Sequence, residues 1–300
     1  MLVEQRPIYL LTVNYYATAL ITRLISSISE LEEIKYQIVI VNNSPDDQSI
    51  SDLSGHNIYR LEANSNLGFG KACNLGLNWI YQQDNQAVVW LINPDAYLLP
   101  DSLNKVNQFF LNYPDISILG TEVYEPEGKI WFGWGKFVKK TGDIVVVETS
   151  LDYQDNPYLS AEWVTGCSLL INLAKFQDCP YFDPDYFLYY EDFDFCQRYR
   201  NQNHLIAITN QIKIIHEPSS ITLKYGYLRL IHNIYSYLLS LEKHTHPFIF
   251  WTRFIRMIFM SLIIFPFKPK FALAKLQGIL MYCQRFINVL SQKPYVKYTH

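Results

Sequence analysis

The sequence predicts an α/β protein with a mostly parallel sheet covered by helices, followed by a helical C-terminal extension. Three observations lead there. Short apolar runs alternate with amphipathic stretches through the first 100 residues, a polar cluster closes almost every apolar run, and composition changes abruptly after Glu242, the last acidic residue of the chain. Strands buried on both faces read as continuous apolar runs, and their alternation with helices implies parallel pairing.

Residues 8–13 form the first apolar run, ended by Asn14-Tyr15-Tyr16. Leu20, Leu24, Ile25, Ile28 and Leu31 then recur at helical spacing. Residues 38–41 read as a second strand, closed by the polar cluster from Asn42 to Asp47, and residues 58–61 as a third. The segment 64–76, NSNLGFGKACNLG, is a Gly-rich loop leading into a helix expected from near Gly70 to about Gln83. Gly68, Gly70 and Gly76 permit tight turns and close approach to a ligand. Lys71 adds a cation, Asn66 and Asn74 add amide donors, and the free N–H groups of a helix start suit an anion. The pattern is neither the P-loop nor the dinucleotide fingerprint, so a plain loop-to-helix turn is the alternative. Residues 87–92 (AVVWLI) read as a fourth strand, broken by Asn93-Pro94-Asp95. Ligands in α/β proteins collect outside the carboxyl ends of strands, which puts Asp95 at an active edge.

The segment 182–198, FDPDYFLYYEDFDFCQR, sets Asp183, Asp185, Glu191, Asp192 and Asp194 among seven aromatic residues in a chain that is 18% charged. Carboxylates beside large apolar surface are costly unless paired or used. Burial raises their pKa, which suits acid or base work near neutral pH. A helix N-terminus, where the dipole favours acids, explains the same cluster without chemistry. Arg198 falls on the same helix face as Glu191, about two turns on.

At these residues the chain resembles family-2 glycosyltransferases of the rhamnosyltransferase-like type. The segments TVNYY, VNNSPDD, NLGFGKACNLG, LINPDAYL, VTGCSLLI, FDPDYFLYYEDFDFCQR and IIHEPSS occur in that family's order, over residues 8–240. The resemblance implies the GT-A fold, a nucleotide-diphosphate sugar donor (dTDP-, UDP- or GDP-linked, with rhamnose as one option), a divalent cation (Mg²⁺ or Mn²⁺) and a single inverting displacement onto a hydroxyl of a saccharide or lipid-linked acceptor. By position it places Thr12, Asn14 and Tyr15 near the base and ribose. Asn42, with Ser44 beside it, stands where the family usually carries an Asp that contacts the pyrimidine. Asn93 and Asp95 fall on the D-x-D-type metal motif, with Asn93 in place of the first acid. Asp95 is the implied metal ligand, His216 could complete its shell, and phosphates and water would supply the rest. Asp192 is the implied general base and Glu191 an orienting group, while Asp194 supports the helix turn. Trp163, Gly166 and Cys167 fall where the family lines its sugar pocket; core packing is the other reading of Trp163.

Length and composition fit this class. The chain's 300 residues at 49% hydrophobic allow one large domain, 1–242, with an appendage, 243–300. Residues 1–7 carry no long apolar run, so no signal peptide is expected. Five cysteines without C-x-x-C spacing fit a reducing cytosol better than a disulfide or zinc scaffold. The appendage holds nine of the chain's 25 basic groups, Lys293 and Lys297 among them, and none of its 28 acidic ones. Its aromatic-rich run is interrupted by Arg253 and Arg256, and its uninterrupted part, 257–267, is too short to span a bilayer. Basic, aromatic and amphipathic together predict a helix lying on an anionic membrane, hence a cytoplasmic protein held at the inner face of the plasma membrane. A packed helical cap or a dimer surface is the alternative. Nucleic acid is excluded by the strongly acidic balance of the first 242 residues. A sugar nucleotidyltransferase would need a glycine- and arginine-rich loop that VNYYATA (13–19) lacks. Asn42 and Asn93 favour a non-catalytic binding protein; Asp95, Glu191 and Asp192 argue against one.

Overall fold

The protein is described by a computed structural model covering residues 6–28, 34–150, 152–217 and 226–291. Leu31, the residues after Glu217 in IIHEPSS, Lys293 and Lys297 lie outside the described residues. The chain divides into two compact units, one of 1–138, 143–187 and 191–222, the other of 139–142, 188–190 and 223–300.

In the first unit the elements run β1 (Ile8–Asn14), α1 (Thr18–Ser26), β2 (Tyr36–Asn42), β3 (Ile58–Glu62), α2 (Phe69–Gln83), β4 (Val88–Ile92), β5 (Ala96–Leu98), α3 (Ser102–Asn112), β6 (Ile116–Tyr124), β7 (Ile130–Phe132), β8 (Trp134–Val138), β9 (Asp143–Val147), β10 (Leu159–Ser160), β11 (Ser168–Asn172), α4 (Glu191–Asn201) and β12 (Leu205–His216). Ten of these strands form one sheet, whose main path is β10-β12-β6-β11-β4-β1-β2-β3. The strands β1 to β4, β6 and β12 all point the same way, because β11 is antiparallel to both of its neighbours, β4 and β6. The sheet is therefore mostly parallel, as the alternation predicts, with one reversed strand inside it. Every residue of β1, β4 and β11 is buried, as expected for strands covered on both faces. The first 92 residues reproduce the predicted order of strands and helices, with α2 beginning one residue before Gly70, and β5 follows as a strand the pattern does not predict.

Register decides which side chains meet at the carboxyl edge. Asn14 pairs with Asn42, and Asn42 with Glu62, so three polar residues stand abreast at the ends of β1, β2 and β3. On the other side β5 pairs with the end of β12, setting His216 opposite Ala96, the neighbour of Asp95. Helix α2 starts at this edge. Its N-cap, Gly68, has φ +81°, and a Cβ there would lie 2.3 Å from the carbonyl oxygen of Phe187.

The second unit contains α5 (Gly226–His244), α6 (Pro247–Ile264) and α7 (Pro269–Ser291). Helices α5 and α7 approach closely because Gly278 faces the Ile231 carbonyl and Ile234, each 2.7 Å from where its Cβ would stand. Glu242 of α5 pairs with Arg285 of α7 at 2.8 Å. The compact division thus falls before α5, not at residue 242, and α5 groups with the appendage. Charge marks the change of composition, whereas packing follows α5's apolar face of Ile231, Ile234, Leu238, Leu239 and Leu241.

Replacing Gly68 with alanine adds both a disfavoured backbone conformation and a backbone clash. We expect Gly68→Ala to lower the stability of the first unit by at least ~2 kcal/mol, measured by urea unfolding, whereas Gly128→Ala, at φ +85° with nothing near its Cβ, should cost clearly less.

Candidate active site

Two polar groups gather along the carboxyl edge of the sheet. The first is a hydrogen-bonded chain at β1–β3. The Asn14 amide donates to Asn42 Oδ1 at 3.1 Å and to Asp47 Oδ2 at 3.1 Å, and Asn42 donates to Glu62 Oε2 at 2.8 Å. Ser44 N donates to Asn42 Oδ1, and Tyr16 N donates to Ser44 Oγ. Asp47 is held below its ordinary pKa by hydrogen bonds, first from the Ser49 hydroxyl and then from Asn14 and Thr18, with burial opposing. This chain explains Asn42. An Asp there would face Glu62 as a second carboxylate, while the amide donates to Glu62 and still accepts from Asn14. Asn42, Asp47 and Glu62, with Pro45, Ile50 and Arg60, line a cavity of about 430 Å³. Thr12 is buried beneath, and Tyr15 lies edge-on to Tyr16 with centroids 5.0 Å apart.

The second group centres on β4, β11 and α4. Glu191, Asp192 and Asp194 occupy the first turn of α4, where the dipole favours negative charge. Asp192 Oδ2 accepts from Gly166 N at 2.9 Å, and Oδ1 from Phe193 N at 2.8 Å. Gly166 leaves room for this: a Cβ there would stand 3.3 Å from the Phe69 ring and 3.5 Å from Asp192 Cβ. Glu191 is buried beside Gly70, and its Oε2 has no hydrogen-bond partner among the described residues. Burial first, and then the charge of Asp192, hold its carboxyl well above the usual range. Burial also raises Asp192, but its two N–H donors pull it back. Burial thus weighs on Glu191 without relief, while hydrogen bonding favours the charged form of Asp192.

Asp95 joins this group. Its Oδ1 lies 3.2 Å from His216 Nε2, and both side chains are largely buried. The Trp131 ring packs against the His216 ring at 4.3 Å. The buried Cys167 thiol is pushed well above its ordinary pKa by burial, then by the charges of Asp95 and Asp192. The Cys167 carbonyl accepts from Asn93 N at 3.1 Å, tying the N-P-D turn to β11. Among the described residues no cluster of three or more His, Cys, Asp and Glu could hold a metal alone. One carboxylate and one imidazole fit a divalent cation that takes its remaining ligands from phosphate and water.

Several expected site residues turn out to hold the framework. The Asn66 side chain accepts from Asn43 Nδ2 and from Gly68 N, shaping the Gly-rich loop. Asn74 exchanges two 2.7 Å hydrogen bonds with the backbone of Phe182. Lys71 is solvent-exposed at the start of α2. Trp163 is buried against Phe132 and Phe193, with Gly135 flat against its ring. Arg198 bonds Asp194 at 2.7 Å, four residues back, and the Tyr181 carbonyl, rather than meeting Glu191. Asp47 and Glu62 enter the site without having been singled out. Asp47 had a signal in the NNSPDD cluster; Glu62 had none, since only register brings it beside Asn42.

The profile of glycosyl transferase family 2 matches residues 9–194, more than half of the chain. The chain is 26% identical over 217 residues to the low-salt glycan biosynthesis hexosyltransferase of Haloferax volcanii, a match covering 69% of this chain and 66% of that protein, just under two thirds of its length. It is 21% identical over 232 residues to the N-acetylglucosaminyl-diphospho-decaprenol L-rhamnosyltransferase of Mycobacterium tuberculosis, covering 70% and 76% respectively. Among solved structures, GalNAc-T7 with UDP, GalNAc and Mn²⁺ superposes with a TM-score of 0.58 at 10% identity, over 80% of this chain and 48% of that one. The fold is thus GT-A.

A buried acid whose pKa is raised on folding stabilises the protein below its unfolded value, near 4.3, and that contribution is lost as pH rises toward the folded value. Glu191→Gln cannot ionise. Wild type should therefore lose stability relative to Glu191→Gln as pH climbs from 4 through neutrality, by about 1.4 kcal/mol per pH unit. Melting temperatures across that range check this; parallel curves would show that Glu191 is not displaced.

Proposed function

This chain belongs to glycosyl transferase family 2, and on that premise we propose that it transfers a hexose, with inversion, from a nucleotide-diphosphate sugar to a hydroxyl of a lipid-linked saccharide in glycan synthesis. The observation that carries the reading is the carboxylate pair at the head of α4, in which Asp192 accepts two N–H hydrogen bonds and Glu191 Oε2 has none among the described residues. The curated relatives support it: one is a hexosyltransferase of glycan biosynthesis, and the other is named for a diphospho-decaprenol acceptor.

The cavity at β1–β3 takes the base, with the Asn14–Asn42–Glu62 chain presenting both donors and acceptors. Because Asn42 replaces a charge with an amide, this contact suits a base edge carrying either kind of partner; dTDP, UDP and GDP all meet that description. Asp95 and His216 would hold a divalent cation, Mg²⁺ or Mn²⁺, with the donor's phosphates completing its shell. When bound, such an ion neutralises charge that develops on the leaving diphosphate. Asp192 takes the proton of the acceptor hydroxyl as its oxygen attacks the anomeric carbon. A new C–O bond forms, the bond from the anomeric carbon to the phosphate oxygen breaks, and the electron pair leaves on the diphosphate. Inversion follows from attack opposite that bond. Gly166 N–H fixes the carboxylate's direction, and Glu191, kept neutral, orients a hydroxyl without repelling the base. Cys167 and Gly166 line the sugar side of the site.

The appendage engages an anionic membrane surface, which would place the enzyme on the inner face of the plasma membrane. A lipid-linked acceptor is confined to that surface, so attachment raises its effective concentration.

Two variants separate chemistry from binding. Asp192→Asn keeps the shape and removes the proton acceptor; turnover should fall at least ~100-fold, with nucleotide-diphosphate affinity within a few fold of wild type. Asp95→Ala should weaken diphosphate binding and blunt its response to Mn²⁺. Thermal shifts with dTDP, UDP and GDP, with and without Mn²⁺, report binding, and release of nucleotide diphosphate reports turnover. Wild-type turnover by Asp192→Asn would refute the assigned base.

A further inference from the structure

Helix α6 is largely uncovered. Only Phe250 and Ser261 are buried within it. Phe248, Trp251, Ile255, Phe259 and Leu262 are 68, 56, 63, 61 and 57% exposed. Their spacing of three and four residues sets them in one stripe along the helix. Phe265 and Phe267 continue the exposed apolar surface past the helix end. Contiguous exposed apolar surface on this scale marks an interaction site. Between residues 245 and 291 the chain has no Asp or Glu, while Arg256, Lys268 and Lys270 are exposed alongside the stripe.

Length and composition alone would let α6 cross a bilayer. Its surroundings within the second unit say otherwise. The opposite face is covered: the Phe250 and Phe254 rings pack against Tyr282 of α7, with centroids 5.8 and 6.3 Å apart. Midway along, Arg253 Nε donates to the Thr141 carbonyl at 2.6 Å, in a turn whose Lys139 and Lys140 are exposed. Crossing would carry that turn and Arg253 toward the bilayer centre, where each cation costs about 2.5–3.5 kcal/mol even by the mildest scale.

We propose that α6 lies in the plane of an anionic lipid interface, with the Phe248–Trp251–Ile255–Phe259–Leu262 stripe immersed among the acyl chains and Arg256, Lys268 and Lys270 at the phosphates. A second copy of the chain is a poor occupant, because a two-fold contact along the stripe would set these cations against each other with no acid between them. The inference gives the mode of the membrane attachment proposed above, and it stands or falls separately from the assigned chemistry, since no residue of the stripe belongs to the catalytic group.

Flotation of the full chain with vesicles tests it. The chain should float with phosphatidylcholine–phosphatidylglycerol vesicles and much less with phosphatidylcholine alone. Trp251→Glu combined with Ile255→Glu should reduce partitioning roughly a hundredfold with an unchanged melting curve and unchanged nucleotide-induced thermal shift. In wild type, lipids brominated near the headgroup should quench Trp fluorescence more than lipids brominated at the chain end, and Trp251→Phe should remove most of that quenching. This last measurement stands even if the double variant fails to fold. Equal flotation of wild type and variant, strongest quenching from chain-end bromine, or a dimer in solution that the variant dissociates without any flotation would each overturn the proposal.

Discussion

Two carboxyl groups adjacent in sequence at the first turn of one helix, Glu191 buried and Asp192 half-buried, cannot both be charged at low cost. The fold resolves this by giving their partners unequally. Asp192 receives the Gly166 and Phe193 N–H groups, whereas Glu191 is pressed against Gly70 without a hydrogen bond to Oε2. Much of the surrounding structure serves that inequality. Gly70 lies against both Phe182 and Glu191, Asn74 clamps the Phe182 backbone, and Gly68 accommodates the Phe187 carbonyl.

The reversed strand β11 has a similar role. By inserting between β4 and β6 it carries Gly166 and Cys167 to the carboxyl edge, beside Asn93 and Asp95. A wholly parallel sheet would have sent that turn to the opposite edge. The buried Cys167 thiol there stays neutral, its pKa raised by burial and then by the charges of Asp95 and Asp192.

Sequence patterns made the order of the first strands and helices legible because buried parallel strands are uninterrupted apolar runs and polar clusters must close them. Asp95, Glu191 and Asp192 were legible for a related reason: acids beside apolar surface need an explanation. Amides were not. Asn66 and Asn74 have the same donors and acceptors whether they serve a ligand or a backbone, and only the fold shows that they hold loops. Arg198 shares a helix face with Glu191, and register along the helix alone does not show that it pairs with the buried Asp194 four residues back. Glu62 depends on strand register, which no local pattern encodes. The boundary of the appendage was displaced because α5 carries acidic Glu242 yet packs with α7.

The central claim is electrostatic: one carboxyl of the pair is protonated at neutral pH and the other is charged. A ¹³C NMR titration of Glu and Asp side-chain carboxyls in the full chain measures it most directly. The account predicts a Glu resonance titrating well above the ordinary carboxylate range, lost in Glu191→Gln, with the Asp192 titration little changed in that variant, because Glu191 is already neutral where Asp192 titrates. If both groups titrate near 4, as exposed carboxylates do, the asymmetric pair does not exist and the assignment of Asp192 as base loses its physical support.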